Sequence, residues 1–259
     1  FVEVAKQAQQ DGNVNNAPDF YGFDVSDYAW LFKSMLMQNG CPVVEASGDD
    51  ITPLLNTPEA VEVMTFWREN FVDTGIMVAN QHGNAEKKFE SGNLAFIAMS
   101  SNRISRWTAN LPFEFGAIEM PYFESPSVAL GGMVLICLSA NENVKPSAYD
   151  LIAWLAAEEQ QTRFSLGTGY LPIHKSALET QAAKDAIASN KAYQVAFNQL
   201  SYTWAYIHFG PMGTMDISLE DGIASVETGG KTPQAMLDYV NQEVAREIEA
   251  DQRNRAGGS

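Results

Sequence analysis

The chain has 259 residues, 46% hydrophobic and 19% charged, enough for a real core and for one large domain or two modest lobes. Its 16 Lys+Arg against 32 Asp+Glu give a formal net charge of −16 and a pI near 4.5. This excludes an intrinsically disordered chain, and also an ordinary nucleic-acid binder, which needs clustered cations to release counterions.

Phe1 to Gln10 reads as an amphipathic helix closed by Asp11-Gly12. Phe20 to Val25 is a strand, and Ser26 is the expected cap of a helix that Gly40 stops. Thr57-Pro58-Glu59 is a helix start, with the cap first and Pro at N1, and Gly75 ends that helix. Ala85 to Ser91 is a short helix, Leu94 to Met99 an apolar strand, and Phe113 to Ile118 a further strand. Gly131-Gly132 leads into the apolar strand Met133–Leu138. The second half is mostly helical: Ser147–Ala157, Glu158–Leu166, Lys175–Ser189, Lys191–Leu200 and Met212–Glu227. A last helix follows Thr232-Pro233, with Met236, Val240, Val244 and Ile248 at helical spacing. Short strands alternating with helices predict an α/β class. No window approaches the ~18 apolar residues of a spanning helix.

Reactive constellations are scarce. There is no phosphate-binding glycine loop, no nucleophile elbow and no zinc spacing among His82, His174 and His208. Nothing calls for a cofactor or metal. Cys41 lies in a turn and Cys137 in an apolar strand; two free thiols fit better than a bridge, and neither builds a redox motif. Three stretches suit a small polar ligand. Tyr28 and Trp30 follow the first strand, and Tyr202-Thr203-Trp204-Ala205-Tyr206-Ile207-His208-Phe209 is rich in amphipathic rings. Such rings offer flat faces to the C–H faces of a sugar and a polar edge besides. Ser100-Ser101-Asn102-Arg103 follows the strand Leu94–Met99, where backbone N–H groups face a polar ligand or are simply capped by Ser101 or Asn102. The alternative class is a carbohydrate-active enzyme with Glu114, Glu119 and Asp216 as nominal carboxylates, for which no spacing speaks.

Six segments in order carry a family resemblance: Leu55 to Val61, Phe89 to Phe96, Phe115 to Pro121, Leu130 to Met133, the Gly-Tyr-Leu-Pro turn of Gly167 to Ile173, and Gly230 to Met236. Together they resemble the extracellular solute-binding proteins of ABC importers, in the carbohydrate and glycerol-3-phosphate group. The resemblance implies a two-lobed periplasmic-binding-protein fold of type II, a periplasmic or extracellular location, and delivery of the solute to ABC permease subunits. It implies no catalysis. It also implies that Phe1 lies just after the first crossover, so that most of the N-terminal lobe is missing, present elsewhere as a separate chain or cut away, and that sheet and core surface is left exposed. Residues 1–125 and 190–252 would then form the C-terminal lobe, 126–189 the returning part of the N-terminal lobe, and 253–259 a tail or linker.

By the same resemblance, ligand contacts fall on Tyr28 and Trp30, on Ser100, Ser101, Asn102 and Arg103, on the backbone of Gly131 and Gly132, and on Tyr170. Trp204 and His208 would close the site. Where phosphate-binding members carry an Arg, this sequence has His208-Phe209-Gly210, and His lacks the permanent bidentate grip of Arg. A sugar or polyol is the expected solute, with glycerol 3-phosphate or a glycerophosphodiester as the alternative.

Overall fold

The computed structural model describes residues 1–14, 20–48, 50–81, 83–130, 141–204, 207 and 209–257. The strand expected at Met133–Leu138, the Gly131-Gly132 crossover, Cys137, Tyr206 and His208 lie outside the described residues. The chain divides into two compact units: Phe1–Met99 with Met120–Ala129 and Tyr202–Ser259, and Ser100–Glu119 with Leu130–Ser201.

The first unit opens with α1 (Val2–Val14), β1 (Tyr21–Val25) and α2 (Tyr28–Gln38). Asp27, not Ser26, caps α2, its carboxylate accepting from the Trp30 amide at 2.7 Å. A hairpin of β2 (Val44–Ser47) and β3 (Asp50–Pro53) follows, then α3 (Pro58–Trp67), α4 (Ala85–Glu90) and β4 (Leu94–Ala98). Thr57 caps α3 as its sequence predicts, with Pro58 in the first turn. A π-helical turn, Arg68–Val72, extends α3. β4 returns parallel to β1, with Phe23 opposite Phe96 and Val25 opposite Ala98, so the intervening helices form a crossover. Two-residue strands β5 (Val128–Ala129) and β6 (Thr203–Trp204) also pair in parallel. Helices α10 (Met212–Glu227) and α11 (Pro233–Gly257) complete the unit.

Its core is a continuous cluster centred on Trp67, whose ring meets Tyr28 and Phe71 at 5.5 Å and Phe32 at 6.3 Å. Met215, Leu219, Ile223 and Val226 of α10 enter it at helical spacing, and so do Met236, Val240, Val244 and Ile248 of α11. Each such side chain contributes roughly 1.5–3 kcal/mol on full burial. Cys41 is a buried free thiol 3.3 Å from Thr57 Oγ1, and burial pushes its pKa up.

The second unit carries α5 (Ile104–Asn110), α6 (Lys145–Ala156), α7 (Glu158–Thr168), α8 (Gln181–Ser189) and α9 (Lys191–Asn198). Phe113–Ile118, expected as a strand, lies outside any strand or helix among the described residues. The helix expected over Lys175–Ser189 is broken: Lys175–Glu179 is a 3₁₀ turn, and Thr180 then caps α8 by accepting from the Ala183 amide. Ile104, Ala192 and Tyr193 form a buried cluster here, with Phe115, Ile187 and Phe197 around it, and Trp107, Ala177 and Ala183 are buried too.

Candidate ligand-binding site

In the first unit the site grows from the junction of β1 and α2. Asp24 is fully buried at the end of β1 and accepts from the Val25 amide, the Tyr28 hydroxyl and Lys88 Nζ at 2.8, 3.0 and 2.8 Å. This fixes where α2 begins. Tyr28 is thereby a core residue, 1% exposed, with its hydroxyl on Asp24; the expected ligand contact at this position is a packing contact instead. Trp30 lies two residues on, a rotation of about 200° at 3.6 residues per turn, and is only partly buried.

One stripe of α2 holds the segment that carries β5. Trp30 Nε1 donates to the Ala129 carbonyl at 3.4 Å, Ser34 Oγ accepts from the Ala129 amide at 3.2 Å, and Gln38 Nε2 donates to the Ser127 carbonyl at 2.9 Å. These positions are i, i+4 and i+8, hence one face. β6 then lays Trp204 beside Ala129. Trp30 and Trp204 therefore flank the same short strand. Sequence reading named both rings but missed Ser34 and Gln38, whose polar types at helical spacing give no hydrophobic signal.

The first turn of α2 is already satisfied by carboxylates. Asp27 takes the Trp30 amide, and Glu220 of α10 takes the Ala29 amide at 2.7 Å. Lys33, 2% exposed, meets Asp216 of α10 at 2.5 Å. Asp216, a nominal catalytic carboxylate on sequence, is thus one half of an ion pair. Desolvation by the neighbouring chain holds the Asp27 carboxyl above its ordinary value, with Glu220 and Asp216 adding repulsion, against the Trp30 amide and Lys33, which favour the charge. An acid raised in the fold binds its proton more readily there than in the unfolded chain. Its contribution therefore falls as pH rises from about 4 through the raised value. Asp27→Asn keeps a capping side chain. It is expected to flatten that part of the stability profile, read as a smaller fall of the urea midpoint from pH 4 upward; superimposable profiles would refute it.

In the second unit the expected polar stretch is a 3₁₀ turn, Ser101–Arg103, capped by Ser100 rather than by Ser101 or Asn102. Asn102 Nδ2 donates to the Tyr170 hydroxyl at 3.0 Å, and Asn102 Oδ1 is buried with no hydrogen-bond partner among the described residues. Gly169 makes this meeting possible. Its φ is +92°, and a Cβ there would stand 2.4 Å from the Ser101 carbonyl oxygen. Tyr170 stacks on Phe164 with centroids 5.7 Å apart and planes 9° apart. Ser101, Asn102, Arg103 and Tyr170 are partly buried and Ser100 is exposed. The structure thus gathers the expected residues in two groups, Trp30 with Trp204 and the Ser100 turn with Tyr170. Glu114 and Glu119 are exposed, and Asn198 donates to Glu119 at 3.4 Å. No cluster of metal-ligating side chains occurs among the described residues, and no described helix is long and apolar enough to cross a membrane.

Over 216 residues the chain is 24% identical to the sn-glycerol-3-phosphate-binding periplasmic protein UgpB of Escherichia coli K12; the match takes in 77% of this chain and 49% of that protein. The chain therefore spans about half the length of the relatives it matches. Among solved structures it resembles maltose-bound MalE3 of T. maritima, with a TM-score of 0.78 and 18% identity over 94% of this chain and 63% of that one. It also resembles UgpB of Mycobacterium tuberculosis in complex with glycerophosphocholine, with a TM-score of 0.71 and 22% identity over 90% of this chain and 59% of that one. The fold is that of the two-lobed periplasmic binding proteins, as the sequence resemblance implied. A family model for bacterial extracellular solute-binding proteins matches residues 1–193, well over half of the sequence, and the chain belongs to that family.

Proposed function

We propose that the protein is the substrate-binding component of an ABC importer, that it captures a neutral sugar or polyol, and that it delivers this solute to the permease at the outer face of the membrane. Family membership and the periplasmic relatives support the role and the location. The observation that carries the choice of solute is the start of α2. Two partly buried tryptophans flank β5 there, while Asp27 and Glu220 already take the helix N-terminal amides. A phosphate at that turn would meet carboxylates instead of open N–H groups. A sugar ring meets indole faces, which suit its C–H groups. No bond-making step belongs to this reading.

A glycerophosphodiester with a cationic head group is the second reading. Indole faces beside carboxylates also suit a quaternary ammonium, and one fold relative was solved with glycerophosphocholine. Titration of the complete protein, followed by tryptophan fluorescence, separates the readings, with maltose, glycerophosphocholine and glycerol 3-phosphate as probes. Saturation by maltose alone is the expected result, and saturation by glycerol 3-phosphate overturns the choice. Trp204→Ala is expected to weaken binding of the saturating probe at least tenfold, about 1.4 kcal/mol. An unchanged affinity would remove Trp204 from the site.

A further inference from the structure

Ser34 is a fully buried hydroxyl in the middle of α2, and it is committed twice. Its Oγ donates to the Trp30 carbonyl at 3.1 Å and accepts from the Ala129 amide at 3.2 Å. A hydroxyl has one proton; with that proton on the Trp30 carbonyl, Ala129 is held by a lone pair. The carbonyl of the same Ala129 takes the Trp30 indole N–H. The amide and the carbonyl of one strand residue point to the same edge, so α2 occupies one edge of β5 while β6 pairs along the other. Two side chains one helical turn apart thus stand in for a neighbouring strand. The anchor continues along α2. The Gln38 side chain holds the Ser127 carbonyl, and the Gln38 carbonyl accepts from the Glu124 and Ser125 amides at 3.2 and 3.3 Å. All of these residues belong to the first unit.

A ladder of two residues is too short to hold its own place. The position of Trp204, opposite Ala129, therefore follows from what fixes Ala129. We propose that Ser34 is a positioning residue for solute binding: through the Ala129 amide, its hydroxyl sets where the Trp204 ring stands relative to Trp30. Fully buried, Ser34 reaches the solute only through those rings. This role rests on the reading of the two tryptophans as walls of the solute site. A buried helix serine has an ordinary use, a bond back to the carbonyl four residues before it. Thr65 of α3 makes that same bond, to the Val61 carbonyl at 2.7 Å, and so supplies the control.

The test uses the complete protein with Ser34→Ala, beside Thr65→Ala. Ser34→Ala is expected to lower the affinity for maltose at least tenfold and to speed hydrogen exchange of the Ala129 amide at least tenfold. It should also raise acrylamide quenching of Trp204, isolated by difference against Trp204→Phe. Thr65→Ala loses only the back-bond and should change none of the three. Ser34→Cys keeps the volume with a weaker acceptor and should fall between; it decides in the same way should the alanine variant fail to fold. An unchanged affinity or an unchanged Trp204 quenching would overturn the proposal. So would an equal loss of affinity in Thr65→Ala, which would mark a general softening of the unit. Should maltose not saturate the unmodified protein, glycerophosphocholine replaces it as the probe. Should neither saturate, the solute reading falls by itself, and Trp204 quenching still decides whether Ser34 positions that ring.

Discussion

Glu227→Ala is expected to lower the unfolding free energy by about 4 kcal/mol, measured by urea denaturation. The carboxylate is 2% exposed at the C-terminal end of α10, where it accepts from Trp67 Nε1 at 2.9 Å and from the Asn80 amide at 2.7 Å. Asn80 holds a positive φ of 54°, so its amide is set by this contact and by the tight turn around it. Truncation leaves both donors without their partner, and Trp67 Nε1, on a fully buried ring, becomes a buried orphan at a cost of about 1–3 kcal/mol, while the amide of the exposed Asn80 turns to water at a smaller one. It also opens a gap beside Trp67, the ring on which Tyr28, Phe32 and Phe71 converge. Glu227→Gln keeps the volume and one acceptor but turns an amide donor toward one of the two N–H groups, so about half the loss should remain. A cycle with Trp67→Phe should show coupling of about 1–2 kcal/mol between the positions. A loss below about 1 kcal/mol for the alanine variant would mean that water serves both donors equally well.

The parts of the fold that the sequence displays are those written in local chemistry. Thr57 and Pro58 start α3, and Gly40, at φ +73°, stops α2, because each residue type answers a backbone requirement at its own position. Leu94–Met99 reads as a strand because it is apolar and bounded by turn residues, and Phe20–Val25 because its aromatic and β-branched residues lie between turn residues. The hairpin of β2 and β3 was not legible. Its strands are four residues each, and although Val44 and Ala46 alternate with Glu45 and Ser47, and Ile51 with Asp50 and Thr52, the runs are too short and too polar to stand out from loop. β5 and β6 are two residues long and exist because α2 holds one of them, which is a tertiary cause. Phe113–Ile118 shows the converse, since an apolar run is a strand only where a partner backbone meets it. Ser26 and Asp27 are adjacent and both able to cap, so the one-residue error there arises from chemistry that fits either. Within the candidate site, the aromatic types at positions 28 and 30 were legible. Which ring faces the core was not, because that depends on Asp24 drawing the Tyr28 hydroxyl inward.

Lys88→Met is expected to cost about 3 kcal/mol in the same denaturation experiment, and adding Asp24→Asn should give part of it back. Asp24 is fully buried, and Lys88 Nζ, itself largely buried, lies 2.8 Å from Oδ2. Taking both charges out of water is expensive. Removing only the cation leaves the carboxylate in place without its counter-charge, which typically costs 3–5 kcal/mol. The Val25 amide and the Tyr28 hydroxyl still donate to Asp24, which places the expected value at the lower end. Neutralising the acid in the double variant removes the uncompensated charge while Asn can still accept from both groups. The double variant should therefore be more stable than Lys88→Met alone, which packing loss by itself would not produce. The consequence reaches the site. Asp24 sets the last residue of β1 and the first turn of α2, and that turn carries Trp30 and, through Ala129, the strand beside Trp204. Loss of affinity for the saturating probe should follow Lys88→Met even though Lys88 lies on α4, and should be recovered in step with stability in the double variant. Affinity that stays constant while stability falls would show that the tryptophan wall is held by α10 and β6 without the buried pair.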